Sequence, residues 1–389
     1  MTTTTIAQRL RHVEASPTLV LASKAKALLQ AGKPVLDFTA GEPDFPTPQP
    51  VKAAAVKAIE QNRTTYTPVA GIPELRAAIA ADLNKRRGTS YGPAEILVSC
   101  GAKHALYNAL QAVCDQGDEV IIIAPYWVSY PPLVQLAGGT PVIIETKEAE
   151  RFQPDPAAIE AAVTQRTRAI ILNSPSNPTG MLIDRRCLAA LARTALKHEL
   201  LVITDEIYDQ IVFPPDRSVS IAQVEPTLRG QTLVVNGVSK SYRMTGWRIG
   251  YAAGPKTVID AMIALQSHST SNPTSISQHA ALEAVTGEQG EVQRMVREFQ
   301  KRRDRLVGGL NRIPGLSCVM PQGAFYAWCN VSGLKQPAEA VAARWLDEAL
   351  VAVVPGEGFG SAEHVRFSFA TSLETIEEGL ARLKKWRMP

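Results

Sequence analysis

Thr232-Leu233-Val234-Val235-Asn236-Gly237-Val238-Ser239-Lys240, continued by Ser241-Tyr242-Arg243-Met244-Thr245-Gly246-Trp247-Arg248, is the stretch on which the fold turns. The apolar run from Thr232 to Val235 reads as a buried strand, so Lys240 falls just past its end. Open α/β sheets carry their chemistry at that edge. A lysine amine there can form a Schiff base with a carbonyl, and an arginine as near as Arg248 can hold a phosphate. A lone Ser-Lys pair is more often a solvated surface pair, so the remaining partners must come from elsewhere in the chain.

They do. Leu200-Leu201-Val202-Ile203-Thr204-Asp205-Glu206-Ile207-Tyr208 is a second buried-strand pattern, and it ends on a carboxylate. Lysine, carboxylate and phosphate-binding arginine together fit pyridoxal phosphate, whose ring withdraws electrons strongly only when its nitrogen is protonated. Asp205 is the candidate partner of that nitrogen, and Tyr208 can donate a hydrogen bond to the ring's phenolic oxygen. A third apolar strand, Ala169 to Leu172, leads into Asn173-Ser174-Pro175-Ser176-Asn177-Pro178-Thr179-Gly180. Asn177 offers an amide donor to the same oxygen, which helps set the pKa of the Schiff-base nitrogen. Taken singly, an acid after a strand is often a helix cap, and Asn-Pro-Thr-Gly is an ordinary turn. The conjunction, in one order and each piece at a strand end, carries the argument.

Asn177-Pro178-Thr179-Gly180, Asp205-Glu206-Ile207-Tyr208 and Ser239 to Arg248 together resemble the class I aminotransferases of fold type I. The likeness runs from about Ser16 to the C-terminus. It is closest to the bacterial aspartate aminotransferase branch, through Ala40-Gly41-Glu42-Pro43-Asp44-Phe45. The resemblance implies an α/β fold: a mainly parallel seven-stranded sheet flanked by helices, plus a smaller α/β domain. It implies pyridoxal 5′-phosphate as cofactor, Lys240 as the Schiff-base lysine and Arg248 as phosphate ligand, with Ser239 beside them. In Ser99-Cys100-Gly101-Ala102-Lys103, Gly101, Ala102 and Lys103 would cradle the phosphate at a helix start, a natural anion site. Tyr66 matches a tyrosine that reaches the phosphate from the neighbouring subunit, which implies a homodimer with shared active sites. Trp127, after the apolar strand Glu119 to Ala124, matches the aromatic that stacks on the ring and touches substrate.

Substrate recognition by resemblance falls to Arg366, in a period-two strand, as the α-carboxylate ligand, with Asn177 beside it. Gly41 matches a glycine whose backbone approaches the substrate. In this branch Lys103 occupies the position that can pair with a second, distal carboxylate. A cation in the first turn of a helix is otherwise slightly unfavourable, which favours a ligand role. The expected activity is transfer of the amino group between L-aspartate and 2-oxoglutarate, giving oxaloacetate and L-glutamate, with ping-pong kinetics. The alternatives are transamination of aromatic or other amino acids or of prephenate, a β-lyase on the same fold, and a non-catalytic ligand sensor. Such sensors usually carry an added DNA-binding domain, for which there is little room before Ala40. Two positions depart from the pattern. Arg243 stands where relatives carry a small residue, at the site's rim or a partner contact. Glu14, in Val13-Glu14-Ala15-Ser16, stands near where prephenate-accepting relatives carry a lysine, and it would repel a second carboxylate.

Composition bounds the rest. A chain of 389 residues with 45% hydrophobic content can bury a large core and hold about two domains. A net charge of +4, with scattered Lys and Arg, argues against nucleic-acid binding. No apolar stretch approaches a membrane span, the first residues lack a hydrophobic signal core, and a cytoplasmic location is expected. The five cysteines are widely spaced and form no metal pattern, so no metal is expected. Alternating strands and amphipathic helices predict strands at 119–124, 140–144, 169–172, 200–204 and 232–235, and helices at 72–87, 103–114, 184–198 and 290–310. Shorter strands are expected at 324–329 and 364–370. The domain division expected is 48–290 for the large cofactor-binding domain and 291–389 for the small one, with 1–47 packing on the latter.

Overall fold

The computed structural model describes residues 7, 10, 27, 28 and 30–386; Glu14 and the segment around it lie outside the described residues. Its centre is a seven-stranded sheet in the order β2-β8-β7-β6-β5-β3-β4. The strands are β2 (Ile96–Ser99), β3 (Glu119–Ala124), β4 (Thr140–Glu145), β5 (Thr167–Asn173), β6 (Leu201–Asp205), β7 (Thr232–Gly237) and β8 (Gly250–Ala253). Neighbours among β3 to β7 pair in parallel, while β8 runs antiparallel to both β2 and β7. The C-terminal ends of β2, β3, β5, β6 and β7 therefore share one edge of the sheet.

The five strands expected from apolar runs are present, β7 extending to Gly237 and β5 starting at Thr167. They read as continuous apolar runs because helices cover both faces of the sheet. Helices Ala102–Val113 and Lys256–Ser267 cover one face, burying Leu106, Leu110, Ile259 and Met262 against Val120, Ile122 and Ile203. Helix Arg185–Lys197 covers part of the other through Leu188, Leu191, Ala192 and Ala195, an i, i+3, i+4, i+7 stripe. Each fully buried aliphatic side chain contributes roughly 1.5–3 kcal/mol.

Two strands of the sheet, β2 and β8, were not among those expected. β8 is Gly250-Tyr251-Ala252-Ala253, short and poor in β-branched residues. Its glycine is required by packing: a Cβ on Gly250 would lie 2.2 Å from the Ala102 nitrogen. Tertiary crowding at the helix start thus overrides strand propensity.

A four-stranded antiparallel sheet, β12-β13-β10-β9, is built from the C-terminal part of the chain. It comprises β9 (Ser317–Cys318), β10 (Tyr326–Asn330), β12 (Val354–Pro355) and β13 (His364–Ser368), with helix Gly290–Leu310 against β10. Strand β1 (Leu36–Asp37) pairs in parallel with β11 (Val351–Ala352), tying the segment that follows residue 35 to this C-terminal region. Phe38 completes the tie: it is 1% exposed and meets Phe367 edge-on at 5.5 Å. Strand β13 alternates in chemistry, Val365 and Phe367 against His364, Arg366 and Ser368, yet all five residues are buried. Its apolar side chains enter the main core, and two of its polar ones reach the part carrying the seven-stranded sheet, Arg366 to Asn177 and His364 to Glu148.

Candidate active site

Five strand ends converge on one cavity of about 610 Å³. Its lining includes Gly41, Ala102, Lys103, Trp127, Asn177, Asp205, Tyr208, Ser239, Lys240, Arg248 and Arg366. That volume is in the range that holds a small cofactor and its substrate. Gly101 lies directly against this lining. Tyr66 is not brought to the cavity of its own chain; it is 92% exposed.

Lys240 follows β7 by three residues and is partly buried; its Nζ donates to the Gly41 carbonyl at 2.6 Å. Burial lowers the amine from 10.5 to about 8, with Glu42 and Asp205 opposing and Arg366 and Arg248 assisting. A neutral, nucleophilic amine is therefore accessible near physiological pH. Gly41 has room for a Cβ, the nearest atom being the Tyr326 hydroxyl at 3.9 Å. The chain alone does not require glycine there; the space in front of it is the cavity itself.

Asp205 is the last residue of β6 and is 4% exposed. Burial raises its carboxyl to about 6, against hydrogen bonds from the Tyr130 hydroxyl (2.8 Å) and the Ile207 N–H (3.2 Å). A buried carboxylate held this way gains most from a cationic partner. The next acids point away: Glu206 and Asp209 pair with Arg87 of helix Pro73–Arg87 at 2.5 and 2.6 Å. That buried network pins the chain just past β6 and fixes where Asp205 and Tyr208 face.

A cationic corner of the cavity forms where β2 enters helix Ala102–Val113. Gly101 has φ +90° and precedes the first helical bond, from His104 N to Gly101 O, so the Ala102 and Lys103 N–H groups lead the helix. A Cβ on Gly101 would sit 2.5 Å from Arg248 Nη2, so only glycine lets the guanidinium approach. Arg248, itself at φ +57°, is held by the carbonyls of Thr245 (2.9 Å) and Cys100 (3.3 Å). Helix start and guanidinium together make an anion site.

Arg366 is 3% exposed. Its Nη1 donates to Asn177 Oδ1 and its Nη2 to the Thr39 carbonyl, both at 3.0 Å, while its buried Nε has no partner among the described residues. Burial pushes the guanidinium below its ordinary value. A buried guanidinium with a spare donor is built for an incoming anion, and a carboxylate suits its planar fork. Because Asn177 Oδ1 accepts from Arg366, its amide NH₂ is left to donate elsewhere. Lys103 Nζ lies 4.9 Å above the Trp127 ring. Burial and the Arg248 charge lower its pKa, so it too would be stabilised by an anion.

Among the lining residues that the sequence reading did not single out are Tyr130, Tyr326, Asn173 and Glu42. Tyr130 and Tyr326 carried no motif, since their partners lie 75 and 118 positions away. Glu42 and Asn173 stood inside quoted motifs and could have been found there. Arg243 does not line this cavity; it pairs with Glu291 at 2.9 Å, anchoring the start of helix Gly290–Leu310.

Residues 33–383 match the family model for aminotransferase class I and II. The chain is 48% identical to an aspartate aminotransferase of Geobacillus stearothermophilus, over 98% of each chain. It is 47% identical to an aspartate/prephenate aminotransferase of Cereibacter sphaeroides, over 97% of this chain and 98% of that one. The solved aspartate aminotransferase of Thermus thermophilus with maleate superposes with a TM-score of 0.95 at 43% identity, covering 98% of this chain and all of the other.

Proposed function

The chain belongs to the class I and II aminotransferase family and is a pyridoxal-phosphate-dependent enzyme, and from that premise we propose that it transfers the amino group between L-aspartate and 2-oxoglutarate, giving oxaloacetate and L-glutamate. The observation that carries this is the meeting, in one cavity, of Lys240, Asp205, an anion-binding helix start and two separate cations for substrate, Arg366 and Lys103. Relatives named aspartate aminotransferases support it, as does the maleate, a dicarboxylate, on the Thermus thermophilus protein.

The cavity's residues fit the cofactor. Gly101, Ala102, Lys103, Ser239 and Arg248 would hold its phosphate, with the partner subunit's Tyr66 completing that corner in a homodimer. Asp205 would hold a proton at the ring nitrogen, Tyr208 and the Asn177 amide would donate to the ring oxygen, and Trp127 would cover the ring face. When bound, the cofactor supplies an electron sink for the substrate's Cα. Arg366 binds the α-carboxylate and Lys103 the distal one, which orients the Cα–H toward Lys240. The Lys240 amine takes that proton as general base and delivers it as general acid. For the domains we propose 48–290 as the cofactor-binding unit and 291–389, joined by 1–47, as the smaller one.

Capture of pyridoxal phosphate by the cofactor-free protein needs a neutral Lys240. Its rate should therefore rise with pH, with a midpoint at about 8, and level off above. Stopped-flow absorbance measures this. A midpoint near the ordinary lysine value of 10.5 would contradict the role.

The central test is the visible spectrum of the cofactor-loaded protein with L-aspartate and no oxo acid. The band should disappear and return on addition of 2-oxoglutarate. In Lys103→Ala, the preference for aspartate over alanine should drop at least about tenfold, the loss of one charge-assisted contact. A band that aspartate leaves alone but an aromatic amino acid removes would overturn the substrate assignment. A second reading, prephenate as acceptor, is favoured by the 47% identity with an aspartate/prephenate aminotransferase and is tested by adding prephenate in place of 2-oxoglutarate.

A further inference from the structure

Tyr326 has no part in the mechanism above, yet it touches two of its groups. It opens β10, is 1% exposed, and lines the cavity. Its hydroxyl lies 3.1 Å from the Tyr208 hydroxyl, and the two rings meet edge-on at 5.8 Å. Its ring face lies 4.3 Å from the Arg366 guanidinium carbon. The register explains the contact with Arg366. Tyr326 pairs with Ser368 across the strands, which places it diagonal to Arg366, within reach of an aromatic side chain.

We propose that Tyr326 is a positioning residue that joins the cofactor side of the site to the carboxylate side: its O–H donates to the Tyr208 oxygen, and its ring holds the Arg366 guanidinium in plane. This rests on the Tyr208 and Arg366 roles proposed above.

Of two hydroxyls at 3.1 Å, one donates and the other accepts. If Tyr326 donates, the Tyr208 proton is left for the ring oxygen that the cofactor brings into the cavity. A phenol that accepts one hydrogen bond becomes a stronger donor in the next, so the pair works as a relay. On the other side, Arg366 is fixed in its plane by Asn177 and the Thr39 carbonyl. Its guanidinium carbon lies over the Tyr326 ring at 4.3 Å and over the Phe359 ring at 5.1 Å. Hydrogen bonds set the direction of the fork and aromatic contacts stop it tilting. One side chain therefore serves both ends of the site through different atoms, and the two contributions can be separated.

The experiment compares Tyr326→Phe, Tyr326→Leu and Tyr208→Phe, each loaded with pyridoxal phosphate, by pH titration of the visible band and by steady-state kinetics. Tyr326→Phe keeps the ring and loses the relay. Its titration midpoint should move upward by about half a pH unit, in the direction of Tyr208→Phe and by less, with KM for the amino donor within about twofold. Tyr326→Leu should show the same movement and also raise KM about tenfold, more than it lowers kcat. A Tyr326→Phe midpoint equal to wild type beside a displaced Tyr208→Phe overturns the relay and leaves the Tyr208 role standing. An unchanged KM in Tyr326→Leu overturns the clamp. An unmoved Tyr208→Phe midpoint overturns the underlying role and this proposal together.

Discussion

Lys240→Ala should bind pyridoxal phosphate and yet turn over about 10⁴-fold more slowly than the unaltered enzyme, or worse. The proposed mechanism asks one amine to serve as covalent anchor and as acid and base at Cα, and proton transfer of this kind alone contributes up to about 10⁴-fold. The other lysine on the cavity is engaged differently: Lys103 Nζ sits over the Trp127 ring, whereas Lys240 Nζ donates to the Gly41 carbonyl. Binding survives because the phosphate corner at Gly101 and Arg248 and the Asp205 carboxylate are untouched. Cofactor content by absorbance and a coupled aspartate assay measure the two effects separately. Near-normal turnover would remove Lys240 from the chemistry altogether.

Asp205→Asn carries the second-largest effect, and it should separate function from stability. The asparagine has the same shape: its one side-chain oxygen can still accept from the Ile207 N–H, and its NH₂ can donate to the Tyr130 hydroxyl, which turns from donor to acceptor. What would be lost, in the proposed role, is the charge that keeps a proton on the ring nitrogen. At hydrogen-bonding range and an effective dielectric of about 20, such a charge would be worth roughly 5 kcal/mol, which corresponds to about 10³–10⁴-fold in kcat. Stability should move the other way. Burial raises the folded-state carboxyl from 3.8 to about 6, so ionised Asp205 opposes folding of the cofactor-free protein. That cost is absent below about pH 4, grows through the interval, and is complete above about pH 6, on the order of 3 kcal/mol. The cofactor-free variant should therefore melt at the same temperature as wild type or higher at pH 8, and show no gain at pH 4. A lower melting temperature at pH 8 together with retained activity would make Asp205 a structural residue.

Much of this site was legible because each group belongs to a strand end. β5, β6 and β7 are mainly apolar runs of five to seven residues; Asp205 ends β6, and Asn177 and Lys240 follow β5 and β7 within a few positions. A buried parallel sheet needs such runs, so periodicity alone located the edge where chemistry gathers. β8 was missed because Gly250 answers to the Ala102 backbone rather than to strand propensity, and its two alanines carry little strand signal. Arg366 was readable as a strand arginine, but nothing local distinguishes a solvated side chain from one that is 3% exposed.

The sequence by itself therefore determined the α/β class, the positions of the main strands and the chemical groups that follow them, because these depend on short-range periodicity and residue type. Only the tertiary structure decided which groups meet. Tyr130 reaches Asp205 across 75 positions, Tyr326 reaches Tyr208 across 118, and Arg366 reaches the Thr39 carbonyl across 327. Those contacts are set by sheet order, by cross-strand register and by how the C-terminal sheet covers the cavity, and no local pattern along the chain encodes them.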